Sequence, residues 1–110
     1  MASNKPNYKE FTKEHAEVMR KKNPDRIPVI VKSRDKIVLK RNKYLVPFDL
    51  TIGQFQYVLR KNTNLNSSEA FFLFINSKLI QSSMIMKQVY EIYNKDGFLY
   101  IDLAKENVFG

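Results

Sequence analysis

Apolar and aromatic positions return at helical spacing over residues 8–23. Tyr8, Phe11, His15, Val18 and Met19 share one side, while Lys9, Lys13, Glu14, Glu17, Lys21 and Lys22 face elsewhere. Asn23-Pro24 ends the pattern, because the residue before a proline is pushed out of the helical region. The stripe is narrow, so this helix has to lean on a larger body. Ile27–Val31 follows with apolar residues in both alternation classes: Ile27, Val29 and Val31 on one face, Pro28 and Ile30 on the other. A strand of that kind needs cover on both sides. A helix of the main core can supply one cover and the N-terminal helix the other. Residues 33–42 are mostly polar and basic around Ile37-Val38-Leu39 and read as a hairpin-like connection. Lys43–Phe48 is the next strand. Pro47 has no N–H to give a ladder, which places the strand at a sheet edge, a rail for docking if its outer side is bare.

Thr51-Ile52-Gly53-Gln54 has the spacing of a capping box, and Leu50 with Phe55 that of a hydrophobic staple. The helix they open carries Ile52, Phe55, Val58 and Leu59 on one face and runs to about Asn62. Ala70–Ile75 is a continuous apolar run between turn formers, read as a buried central strand. Leu79-Ile80 can form a short strand, and Ser82 or Ser83 can cap a helix from Met84 to Tyr93. Asn94–Gly97 is a turn. In the last strand, Phe98–Leu103, Leu99, Ile101 and Leu103 point inward, with Phe98, Tyr100 and Asp102 outward. From residue 27 the order is strand, strand, helix, strand, short strand, helix, strand. That is an α+β ubiquitin-like β-grasp, here with an N-terminal helical extension. The expected divisions are 1–26 for the extension, 27–104 for the core and 105–110 for a tail.

Composition narrows the chemistry. The chain of 110 residues has no Cys and one His, so disulfides, thiolate chemistry and a nucleophile–base pair built on His or Cys lack their parts. Its glycines, at 53, 97 and 110, are too far apart for a phosphate-cradling loop. No enzyme activity, cofactor or metal is expected. No apolar run approaches the roughly 20 residues that span a bilayer. The opening residues carry no apolar stretch of a secretory signal, so a cytoplasmic location is expected. The net charge of +8 lies entirely within residues 1–43, which hold 13 basic and 5 acidic side chains. Such an excess is either a solvated surface or an attractant for phosphate, anionic lipid or acidic peptide.

Several blocks, Asn23-Pro24-Asp25-Arg26-Ile27-Pro28-Val29-Ile30, Lys43–Pro47, Asp49–Phe55, Phe98–Ile101 and Val108-Phe109-Gly110, resemble the autophagy ubiquitin-like modifiers. This is the family of microtubule-associated light chain 3 and GABA-receptor-associated protein, and the similarity runs from about Phe11 to Gly110. The resemblance implies a modifier conjugated through Gly110 to phosphatidylethanolamine, cytoplasmic and, once lipidated, on the autophagosome membrane. It implies as partners the activating and conjugating enzymes of that system and cargo receptors carrying an aromatic-x-x-aliphatic motif, with tubulin or anionic lipid as further candidates. The receptor motif would add as a strand beside the second strand. Matching positions imply an aromatic pocket of Met19, Pro28, Ile30, Lys43, Leu45 and Phe98. They imply an aliphatic pocket of Tyr44, Val46, Pro47, Leu50, Phe55 and Val58. Arg26, Lys43 and Arg60 would meet acidic residues flanking the peptide. The chain departs from the family pattern at His15, where an acidic residue is usual. It departs also at Phe48, at Asn62, at Lys78–Gln81 and in the shorter 33–42 connection.

The alternative is a ubiquitin-like adaptor that binds the peptide and is never conjugated. A nucleic-acid binder is not expected, because the aromatics fall at core and groove positions and are not interleaved with the basic residues.

Overall fold

The computed structural model describes residues 12–105, opening on helix α1 (Lys13–Lys22). Thr12 starts it by accepting the His15 N–H on its hydroxyl at 3.1 Å. Asn23 ends it, donating both its main-chain N–H (2.9 Å) and its side-chain amide (3.2 Å) to the Met19 carbonyl. Tyr8 and Phe11, the first members of the predicted stripe, lie outside the described residues. Within α1 the buried residue is Ala16, and Val18 is 49% exposed. The predicted face is therefore rotated: Ala16 and Met19 dock, Val18 does not.

The strands are β1 (Arg26–Ser33), β2 (Lys43–Pro47), β3 (Phe72–Ile75), β4 (Lys78–Leu79) and β5 (Leu99–Ala104). They form one sheet in the order β2-β1-β5-β3-β4. β1 and β5 are parallel and the other pairs antiparallel. The mixed sheet, with one parallel pair at its centre, is the β-grasp arrangement. Helices α2 (Ile52–Lys61) and α3 (Met86–Tyr93) cover one face. There Ile27, Val29, Val31, Leu99, Ile101 and Leu103 meet Ile52, Phe55, Leu59, Met86 and Val89. The other face carries α1, whose Ala16 packs on Ile30 and Phe98, with Met19 and Tyr100 at the margin. The two-sided apolar pattern of β1 is thus answered by two separate layers.

Thr51 and Gln54 make the reciprocal capping box of α2 at 3.1 and 2.9 Å. The start of α3 differs from expectation. Neither Ser82 nor Ser83 caps it, because residues 82–84 form a turn across the entrance to α2, with Met84 N–H bonded to the Gln81 carbonyl at 3.2 Å. The Met84 and Ser82 carbonyls accept the Ile52 and Gly53 N–H groups at 2.8 and 3.0 Å. In return the Leu50 and Phe48 carbonyls accept Met86 and Lys87 N–H at 2.8 and 2.9 Å. Each chain entry satisfies the orphan donors of the other helix, so α3 cannot begin before Met86. β3 is shorter than the apolar run and turns Phe72 to solvent, while Phe71 and Leu73 are buried.

Gly97 sits at φ +89, in the left-handed region that favours glycine. A Cβ there would stand 2.6 Å from the Ala16 Cβ. Two small residues thus let α1 approach the 94–97 turn, and Tyr90 fastens that turn by donating its hydroxyl to the Gly97 carbonyl at 2.9 Å.

Candidate functional site

β2 is a terminal strand of the sheet, as Pro47 requires. The phase of its ladder follows from two bonds: Val31 N–H to the Asn42 carbonyl at 2.7 Å and Phe48 N–H to the Asp25 carbonyl at 3.1 Å. Antiparallel pairing alternates. Residues 42, 44, 46 and 48 therefore bond to β1, and the main chain of 43, 45 and 47 is turned to the open side. Pro47 gives its carbonyl to the Leu50 N–H at 3.1 Å, closing the turn into α2. The Leu45 carbonyl lies 3.4 Å from the Arg26 guanidinium, a long contact that an incoming donor could replace.

Side chains alternate along the same strand. Leu45 pairs with Pro28 and Lys43 with Ile30 on the face that α1 covers. Met19, Ile30 and Phe98 are in one cluster there, so the structure brings the six aromatic-pocket residues to one face beside α1. The floor of this patch is closed: Pro28, Ile30 and Phe98 are buried under α1, while Met19, Lys43 and Leu45 are half-buried at its lip. His15 stacks on Phe98, ring centroids 6.3 Å apart, and its Nε2 is buried with no hydrogen-bond partner.

Tyr44 and Val46 point the other way, into the core under α2, where Tyr44 meets Phe55 edge to face at 5.5 Å. Of the aliphatic set, Tyr44, Val46 and Phe55 form a buried base. Pro47 and the 39%-exposed Val58 reach solvent, with Leu50 between. Tyr44 donates its hydroxyl to the Arg41 carbonyl at 2.9 Å. Burial pushes that hydroxyl above its ordinary value, with the Arg41 guanidinium, 5.3 Å from the ring centre, pulling it back.

The charges divide. Arg26 stands at this edge, and Arg20 reaches its carbonyl at 3.4 Å. Arg60 does not come to the edge. Its guanidinium donates to the Asn66 and Glu69 carbonyls at 2.9 and 2.8 Å and lies over Phe71, so it holds the loop before β3. Helical phase explains this: Phe55 and Leu59 enter the core, and one step on places Arg60 on the β3 side of α2. Sequence reading also missed Ala16 and Gly97, whose small size alone hinted at close approach. Gly110 lies outside the described residues. Among the described residues no three His, Cys, Asp or Glu side chains converge as metal ligands, and no helix is long and apolar enough to cross a membrane. A cavity of about 610 Å³ opens away from the β2 edge, between α1 and the 94–97 turn, with Arg20 and Tyr90 in its wall.

Comparison with known proteins bears on this geometry. Residues 11–110 match the family described as autophagy protein Atg8 ubiquitin like. The chain is 46% identical over 107 residues to Autophagy-related protein 8e of Arabidopsis thaliana, covering 92% of this chain and 88% of that protein. The crystal structure of Trypanosoma brucei ATG8 superposes with a TM-score of 0.81 at 35% identity, covering 94% of this chain and 95% of that one. Plasmodium falciparum Atg8, solved in complex with a P. falciparum Atg3 peptide, gives 0.75 at 25% identity, covering 93% and 98%.

Proposed function

Because the chain belongs to the autophagy Atg8 ubiquitin-like family, we propose that it is a modifier conjugated through Gly110 to phosphatidylethanolamine on autophagosomal membranes. There it recruits cargo receptors and adaptors through the β2 edge and performs no catalysis of its own. The observation that carries the recruiting half is the ladder phase, which turns alternate main-chain groups of β2 outward between two apolar patches. In an extended peptide, residues three apart fall on opposite faces. An aromatic-x-x-aliphatic segment added beside β2 therefore sends its aromatic anchor toward Met19, Lys43 and Leu45, over Pro28, Ile30 and Phe98. Its aliphatic anchor goes toward Pro47, Leu50 and Val58, over Tyr44, Val46 and Phe55. Main-chain bonds to residues 43 and 45 supply register, and the two patches supply selectivity. Arg26 and Lys43 favour acidic flanking residues, acting on encounter rate more than on affinity.

Engagement of the conjugating enzymes uses the same logic, since a relative is known in complex with an Atg3 peptide. For the conjugating half, the activating enzyme and ATP first convert the terminal carboxylate to an activated acyl group. A terminal glycine has no Cβ, so that carbonyl enters a narrow channel and is open to attack by the lipid amine, the amide forming as the activating group leaves.

Two measurements test the reading. Fluorescence anisotropy with a labelled aromatic-x-x-aliphatic peptide should show saturable binding, weakened at least tenfold by Leu45→Arg. Incubation with the activating and conjugating enzymes, ATP and phosphatidylethanolamine liposomes should yield a lipid adduct that deletion of Gly110 abolishes. Peptide binding without an adduct would leave an unconjugated adaptor, and the absence of both would sink the proposal.

A further inference from the structure

β1 and β5 run parallel, so both end at the same side of the sheet, and β2 starts there. The 34–42 connection closes this end. Arg34 N–H bonds to the Leu103 carbonyl at 2.8 Å and Lys40 N–H to the Asn62 carbonyl, also at 2.8 Å, which lays the connection against the last turn of α2. The described chain leaves from the same end: Lys105 N–H bonds to the Asp35 carboxylate at 2.9 Å.

Charge here is one-sided. Lys36, Lys40, Arg41 and Lys61 are exposed. Among the described residues the acids of this end are engaged: Asp35 by Lys105 N–H, Asp102 by Arg34 at 3.5 Å, and Glu69 by Lys105 at 3.4 Å. The other end of the sheet is basic too, but mixed: Arg20, Lys21, Lys22, Arg26, Lys87 and Lys95 stand among Asp25, Asp49, Glu91 and Asp96. The connection also points an apolar side chain outward. Ile37 and Leu39 are buried, whereas Val38 between them is 51% exposed, flanked by Lys36 and Lys40.

We infer that this basic end is a membrane-reading face whose partner is a bilayer containing anionic phospholipid. Cations attract the headgroups, and a protruding Val38 enters the interface, a pairing suited to lipid and of no use in reading phosphates on a nucleic acid. For orientation the inference rests on the proposed attachment at Gly110. Gly110 is five positions beyond Lys105, so the attachment point lies within about 18 Å of this end even when fully extended. A tether that short lets the four cations come within a Debye length of the headgroups, about 8 Å at physiological salt, where their attraction acts.

The test uses the full unconjugated chain, so it is independent of the Gly110 reading. Cosedimentation compares phosphatidylcholine vesicles with vesicles containing about one-third phosphatidylserine, at low and high salt. Partitioning should rise by well over tenfold with phosphatidylserine and collapse at high salt. Each cation contributes roughly fivefold, so Lys36→Gln/Lys40→Gln/Arg41→Gln should lose well over tenfold. Lys61→Gln, on a different element, should lose about fivefold, and Val38→Ser should weaken binding at unchanged charge. Lys95→Gln, at the other end, should bind as the wild type does. Equal partitioning to both vesicles, or wild-type binding by the triple variant, overturns the inference. So does single-stranded RNA binding tighter than the vesicles at equal phosphate concentration.

Discussion

Replacing Gly97 by alanine tests how α1 is held. Two costs enter. A residue with a Cβ at φ +89 pays for the left-handed region, about 1–2 kcal/mol. The new methyl would lie 2.6 Å from the Ala16 Cβ, and overpacking of that kind costs about 1–3 kcal/mol. The helix could escape only the second cost, by undocking. That would expose Ile30 and Phe98, now 2% and 0% exposed, at about 1.5–3 kcal/mol each. Undocking is the dearer course, so α1 should stay in place and the strain should be shared by the whole domain. Urea unfolding of Gly97→Ala should therefore show a loss of about 2–5 kcal/mol, with α1 amides not selectively exposed to hydrogen exchange. Ala16→Gly separates the two terms. Alone it costs about 1 kcal/mol as a helix-interior glycine. In the Gly97→Ala background it makes room for the methyl and should be neutral or stabilising. If the two substitutions add within about 0.5 kcal/mol, as independent sites do, contact between Ala16 and residue 97 does not govern the docking of α1.

Other expectations follow from single groups. Thr51→Ala removes the α2 cap and should cost about 1 kcal/mol by urea unfolding, more than Thr63→Ala. Tyr44 has its pKa raised from 10.0 by burial, so the unfolded chain ionises first. Its contribution is complete below pH 10.0 and is lost as pH rises through the higher folded value; Tyr44→Phe should flatten that alkaline decline. Glu69 is lowered from 4.5, by its bond from Asn66 N–H and then by Lys105. Its stabilisation is present above pH 4.5 and lost as pH falls through the folded value, so Glu69→Gln should show a shallower acid limb in pH-dependent melting.

Much of this fold is readable because local rules and tertiary demands coincide. The Thr51/Gln54 box, the two-faced apolar pattern of β1, the edge position of β2 and the alternation of β5 all rest on spacing within a few residues. What escaped is what long-range partners decide. The late start of α3 depends on the exchange of carbonyls between 48–50 and 82–84, and neither segment alone announces it. The rotation of α1 depends on Gly97, which lies 81 positions beyond Ala16. Arg60 carries the right charge for an acidic flank, but the helix turn that seats Leu59 in the core commits it to the loop before β3. The two pocket sets rest on the family resemblance; alternation along β2 accounts for Leu45 and Val46 standing on opposite faces.

The two sheet edges meet one hazard in different ways. An exposed edge invites pairing with another chain. β4 escapes by brevity, with two residues in its ladder. β2 is five residues long and stays open, yet it is protected against its own copies. Lys43 and Pro47 stand at its two ends, and Pro47 both lacks a donor and gives its carbonyl to Leu50. A second copy of β2 set alongside would bring like charges together at one end or lose ladder bonds at the other. An incoming strand gains only if it brings acidic flanks to Lys43 and Arg26 and apolar anchors to both faces. On the proposed function, the features that guard this edge against its own copies are therefore the ones by which it would choose a partner.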